Sequence, residues 1–133
     1  MPHPIRITVD KIEIDAQLSD TPAALALWEA LPIERTVNTW GHEFYFDIGI
    51  RIENSAEASD IVEVGDIAYW PPGSALCIFF GRTPASQGQE IRAASPVTVL
   101  GTLIDTPTDK LRRVRTGTSI RIESKDIILR DSF

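Results

Sequence analysis

The sequence predicts a mainly β protein, a closed or nearly closed barrel with one or two short helices, on three observations. Apolar residues alternate with polar ones in several short runs, the period at which a strand presents one face to a core. Proline, glycine and polar clusters punctuate those runs, and only two stretches carry helical signals. No internal repeat, low-complexity segment or linker interrupts the series, which favours a barrel.

The first element is a hairpin. Ile5, Ile7 and Val9 alternate in one phase and Ile12, Ile14, Ala16 and Leu18 in the other, so the parity changes across Asp10-Lys11, where a tight turn is expected. Thr21 followed by Pro22 has the chemistry of an N-cap and first helical position. Ala24, Leu27, Trp28 and Leu31 then fall at helical spacing until Pro32 stops the run. This helix is expected to lay an apolar face on the sheet.

Alternation resumes at Phe44 and continues through Phe46, Ile48, Ile50 and Ile52, predicting one long strand with Glu43, Tyr45, Asp47 and Arg51 on its other face. The polar segment 54–60 reads as a loop. Ile61 to Trp70 and Ser74 to Phe80 read as two strands joined at a corner by Pro71-Pro72-Gly73, because proline cannot donate to a central ladder and glycine tolerates the reversal. Residues 82–96 show little periodicity and are expected to be a mobile surface loop. Val97, Val99 and Leu103 make a further strand with a bulge marked by Gly101. Thr106-Pro107-Thr108-Asp109 has capping-box spacing and opens a second short helix toward Leu111 and Val114. Ile120-Arg121-Ile122 and Ile127-Ile128-Leu129 suggest a closing hairpin around Ser124-Lys125-Asp126. The predicted interior includes Ile7, Phe44, Phe46, Ile48, Val99 and Ile122.

The chain has 133 residues, 43% of them hydrophobic, enough for one core and too few for two ordinary domains, so residues 1–133 form a single unit. Its 13 Lys and Arg against 19 Asp and Glu give a net charge of -6, which opposes binding to a phosphate backbone and argues against nucleic acid as a partner. The basic run Lys110, Arg112, Arg113 and Arg115 reads as a solvated face. No apolar run approaches the roughly 18 residues of a membrane span, and no secretory hydrophobic core follows Met1. The single cysteine, Cys77, sits between Leu76 and Ile78 and reads as a buried thiol with no disulfide partner, which fits a cytoplasmic location.

Chemistry-bearing motifs are few. Two histidines, His3 and His42, with one buried cysteine are too few to build a histidine-rich metal centre, so a metal-dependent cupin barrel is excluded while a metal-free cupin-like binder stays open; no cofactor is implied. His42 and Glu43 are neighbours on a strand and point to opposite faces, which rules out a direct dyad and leaves His42 a structural role. There is no nucleophile elbow and no phosphate-binding glycine loop. What remains is an aromatic set, Trp40, Tyr45, Tyr69, Trp70, Phe79 and Phe80, suited either to a core or to a pocket for apolar or prolyl groups. The strand 74–80 is apolar on both faces, so its outer face needs a cover: a helix, a loop, a partner or a ligand.

Leu31-Pro32, Trp40-Gly41-His42-Glu43-Phe44-Tyr45-Phe46 and the block from Gly65-Asp66 through Tyr69-Trp70-Pro71-Pro72-Gly73 to Phe80-Gly81-Arg82-Thr83-Pro84 carry a family signal. Through them the chain resembles the small prokaryotic cyclophilin-like domains of unknown function. The resemblance implies a compact, closed eight-stranded barrel with short helices at its ends and a shallow cleft outside. It also implies a mechanism to weigh: true cyclophilins isomerise X-Pro bonds by holding proline in an apolar pocket beside an arginine guanidinium. Their Phe-x-x-Gln-Gly-Asp type of stretch is missing here, so isomerase activity is expected to be weak or absent, with Arg82 and Arg51 as the candidate guanidinium groups.

These residues together suggest a binding module taking a small apolar molecule or an extended peptide in an outer cleft, through Glu43, Tyr45, Tyr69, Trp70, Phe80 and Arg82. A peptidyl-prolyl isomerase is the alternative. A third reading makes the aromatic face an interface in a homo-oligomer.

Overall fold

A computed structural model of the chain describes residues 3–125. Strands β1 (His3–Val9) and β2 (Ile12–Leu18) form the expected hairpin, with Asp10 in a left-handed conformation at the turn. Helix α1 (Pro22–Ala30) starts where predicted. Thr21 Oγ1 accepts from the Ala24 amide at 3.2 Å, Pro22 occupies the first turn, and Ala24 and Leu27 are buried.

Next come β3 (Ile33–Thr36), β4 (Asn38–Thr39) and β5 (Glu43–Asp47). After β6 (Ser59–Val62) and β7 (Asp66–Trp70), one 3-10 turn over Pro71–Gly73 leads into β8 (Ala75–Phe79), which pairs antiparallel with β7. The long β9 (Ile91–Leu103), the short α2 (Thr108–Leu111) and β10 (Ser119–Ser124) complete the described elements.

The strands form one ten-stranded sheet in the order β3-β10-β1-β2-β9-β7-β8-β5-β4, with β6 added to β9. The expected closed, eight-stranded barrel is therefore corrected: the fold is mainly β with two helices, and the sheet is not closed. Its two ends are β3 and β4, separated in sequence by Val37 alone. Up to Val37 the backbone directs its hydrogen bonds to the β10 side, Val37 N–H donating to Thr118 O at 2.9 Å, and from Asn38 onward it pairs with β5. What spans from β3 to the end of β5 is a side chain, as Arg35 donates to the carbonyls of Asp47 at 2.9 Å and Ile48 at 3.4 Å.

Several expected boundaries shift for identifiable reasons. The long strand predicted through Ile52 stops at Asp47, whose carboxylate accepts from the Gly49 amide at 2.6 Å and turns the chain; Ile48 and Ile52 stay buried without a ladder. The strand predicted over 61–70 is two strands, split by a turn in which Asp66 accepts from the Glu63 amide at 2.9 Å. The predicted loop 82–96 yields its last six residues to β9. The capping box does not form: α2 begins after Pro107 with no side-chain cap.

Val99 is 44% exposed rather than interior. The register between β7 and β9 slips so that Ile67 faces Gly101 and Ala68 faces Val99, and the bulge turns Leu100 inward in its place. Gly101 itself lies so close to β2 that a Cβ there would collide with the carbonyl of Gln17. The Ile127-Ile128-Leu129 arm of the predicted closing hairpin lies outside the described residues.

The sheet buries apolar side chains on both faces. One face carries the main core, including Ile5, Ile7, Phe44, Phe46, Tyr69 and Ile122, with Leu27 of α1 in the same cluster. A second, smaller core of Val62, Ala68, Cys77, Phe79, Ile91, Ala93 and Val97 lies on the outside, where β6 and the first half of β9 fold over β7 and β8. That cover supplies what the doubly apolar β8 required. It also frames the pocket described next.

Candidate functional site

On β5, Glu43 and Tyr45 point to the outer face, and the register with β8 sets Tyr45 opposite Cys77 and Glu43 opposite Phe79. On the far side of β8, Trp70 at the end of β7 stands opposite Ala75. The second core does not fill the space between these side chains. A pocket of about 240 Å³ remains, floored by Cys77, walled by Glu43, Tyr45, Trp40 and Trp70, and covered by Ala93, Ala94 and Val97 of β9.

Trp70 is held in place from two directions. Its indole Nε1–H donates to Ser95 Oγ at 2.7 Å, tying the β7 corner to β9. Its ring also lies against Gly73, where an added Cβ would sit 2.9 Å from the six-membered ring, so the corner glycine is what lets the ring lie flat there. Trp40 is positioned by a tight reversal in which its amide donates to the Glu43 carbonyl at 3.0 Å.

Glu43 dominates the electrostatics. It is only 5% exposed, and its Oε1 has no hydrogen-bond partner. Loss of water around the carboxylate raises its pKa to about 7, only partly offset by hydrogen bonding with the Cys77 thiol. Burial pushes the Cys77 thiol well up, and the neighbouring Glu43 carboxylate adds to the effect. The site is therefore an apolar, aromatic chamber with one titratable carboxyl on its wall. A thiol held protonated in this way is a poor nucleophile.

Of the ligand-binding candidates named from sequence, Glu43, Tyr45 and Trp70 meet at this pocket, joined by Trp40 of the aromatic set. Tyr69 does not join them: its side chain is 0% exposed in the main core and its hydroxyl donates to the Ile50 carbonyl at 2.7 Å. Phe80 is likewise in the main core, 4.7 Å from the Phe44 ring and stacked on His42 at 5.9 Å. Both have the parity of the inner face, Tyr69 on β7 and Phe80 just past the end of β8. Arg82 lies in the loop after β8, where it reaches the Ser86 carbonyl at 3.4 Å, and Arg51 is exposed beside a separate pocket shared with Tyr69 and Pro71. Neither guanidinium lines the aromatic pocket.

Sequence reasoning missed Cys77 as the floor, although its alternation with Leu76 and Ile78 could have placed it on the outer face. It also missed Ala93, Ala94 and Val97, because most of the cover strand reads as loop. Among the described residues no group of three or more His, Cys, Asp and Glu side chains is arranged to hold a metal ion. Among them, too, no helix is long and apolar enough to cross a membrane.

Comparison with known proteins points one way. Residues 3–123 match the family model described as cyclophilin-like. The solution structure of a hypothetical protein from Archaeoglobus fulgidus is 38% identical and superposes with a TM-score of 0.77, over 92% of this chain and 94% of that one. Among curated proteins nothing matches the chain.

Proposed function

We infer that this chain, which belongs to the cyclophilin-like family, is a binding module whose outer pocket takes a small, largely apolar molecule. The observation that carries the reading is the pocket beside the second core, walled by Trp40, Tyr45 and Trp70 and lined by the buried Glu43, whose Oε1 has no hydrogen-bond partner. A cleft with aromatic walls and one polar group is the usual composition of a ligand site. Its volume of about 240 Å³ lies below the range of about 300–1,000 Å³ typical for drug-sized ligands, which favours a molecule of roughly one ring over an extended peptide.

The isomerase alternative needs a guanidinium facing a prolyl pocket, and Arg51 and Arg82 both lie away from these aromatic walls. A protease-coupled proline-peptide assay keeps it testable. Acceleration that disappears in Arg82→Ala or Arg51→Ala would put the isomerase in first place.

Titration with a small aromatic probe such as benzyl alcohol, followed by tryptophan fluorescence and by the indole N–H signals in NMR, tests the binding reading. Signals of Trp40 and Trp70 are expected to move together, and Trp70→Ala to weaken binding by about 1–3 kcal/mol while the sheet stays folded. Probes that move neither indole signal would remove the pocket from consideration.

A further inference from the structure

We propose that the ligand of this pocket is a small organic cation, an ammonium group on an apolar body, which pairs with the Glu43 carboxylate and rests its charge among the rings of Trp40, Tyr45 and Trp70. The proposal deepens the binding reading above and rests on it. A buried carboxylate ordinarily has a cationic or multiply hydrogen-bonded partner, because an uncompensated charge out of water is expensive. Glu43 has neither within the described residues: no lysine, arginine or histidine lines the pocket, and Oε1 is unpaired. Arg92, on the cover strand, is engaged by Asp60 at 3.0 Å and by Glu90 at 3.2 Å, and it does not line the pocket.

The missing partner is thus left for a ligand to supply, and the walls select its kind. Aromatic faces carry negative potential and attract cations, the more so when the site is dry. A carboxylate among them repels anions. A purely apolar ligand would fill the volume but leave the Glu43 carboxylate without a partner of opposite charge. At longer range the chain's net charge of -6 favours the approach of a cation.

Protonation gives the proposal a distinctive signature. Burial holds the Glu43 pKa near 7, so an ammonium ligand should bind better once the carboxyl is ionised, and a neutral ligand should not. The groups facing Glu43 do not blur this. Cys77 of β8 is held protonated by burial and by Glu43, β7 presents Trp70, β9 presents Ala93, Ala94 and Val97, and the segment before β5 presents Trp40. The phenol of Tyr45, on the same strand as Glu43, is controlled by Tyr45→Phe.

Calorimetric titrations of the whole chain with benzylamine and with benzyl alcohol, two probes of nearly equal shape, decide between the two ligand classes at about pH 8 and about pH 5. Benzylammonium is expected to bind about tenfold more tightly than benzyl alcohol at the higher pH, and to lose about tenfold at the lower. Glu43→Gln should abolish both differences. Equal affinities for the two probes at pH 8, or a preference that survives Glu43→Gln, would overturn the cation assignment and leave the binding reading standing. Failure of both probes to bind would overturn the two together. Should Glu43→Gln fold poorly, the comparison of probes and pH on the unaltered chain is enough to separate these outcomes.

Discussion

At the scale of single residues, Glu43 shows how one side chain can lower stability while defining a site. Its pKa in the folded chain is about 7 against a reference of 4.5, so the native state holds this proton more tightly than the unfolded chain does. Stability from this group is therefore complete below about pH 4.5 and lost as pH rises through 7, at a cost of about 3 kcal/mol once the carboxyl is fully ionised. Glu43→Gln removes the titration and keeps the shape. Urea unfolding should show the variant gaining on the parent by up to about 3 kcal/mol between pH 5 and pH 8.5, and a gap that is constant with pH would show that Glu43 is not desolvated. Asp66, also raised by burial, is present in both proteins and cancels in the difference. The importance of Glu43 was half legible in the sequence: parity put it with Tyr45 and opposite the Phe44 and Phe46 face. That it would be buried depended on a cover strand the sequence disguised.

At the scale of elements, the Trp70-Pro71-Pro72-Gly73 corner sets one wall of the pocket. Gly73→Ala would place a methyl 2.9 Å from the Trp70 ring, and the ring can escape only by giving up its hydrogen bond to Ser95. The expected result is a loss of about 1–2 kcal/mol of stability, a shift of Trp70 emission toward that of a solvated indole, and weaker probe binding. Unchanged emission would mean that the corner itself yields instead of the ring. This corner was legible because proline and glycine act on the backbone locally. The hairpin of β1 and β2 was legible for a similar reason, since each strand alternates over seven residues. Strands β3 and β4 were not: Ile33-Glu34-Arg35-Thr36 buries one side chain, and Asn38-Thr39 none, so they are held by partners distant in sequence and leave no period to read. The first half of β9 failed differently, because alanines and Pro96 weaken its pattern while its pairing with β6 makes it a strand. Between Val99 and Gly101 a bulge reversed the phase, so counting by twos back from Leu103 put Val99 on the inner face, whereas it shares the outer face with Val97.

At the scale of the whole molecule, the two cores divide the work. The main core is spread over strands and a helix from both ends of the described chain, so its loss should be global. The second core is built from β6 and the first half of β9 against the outer face of β7 and β8, and its members are fewer and come from a shorter stretch of the chain. Phe46→Ala empties a site in the main core and should cost about 3–5 kcal/mol, enough to bring a small domain near its unfolding threshold. Ile91→Ala trims the second core at the point where β9 pairs with Val62, and its effect should stay on one side of the sheet. Native-state hydrogen exchange separates the two outcomes. In Phe46→Ala, protection should fall together in β1, β2, β8 and β10. With Ile91→Ala it should fall in β6 and in residues 91–97 while β1, β2 and β10 keep theirs, because the cover opens as a unit without unfolding the sheet beneath. A bound probe should restore protection in that cover, since it fills the space between the cover and β8. Uniform loss of protection in both variants would mean that the cores are one cooperative structure, and that the pocket opens only when the whole domain does.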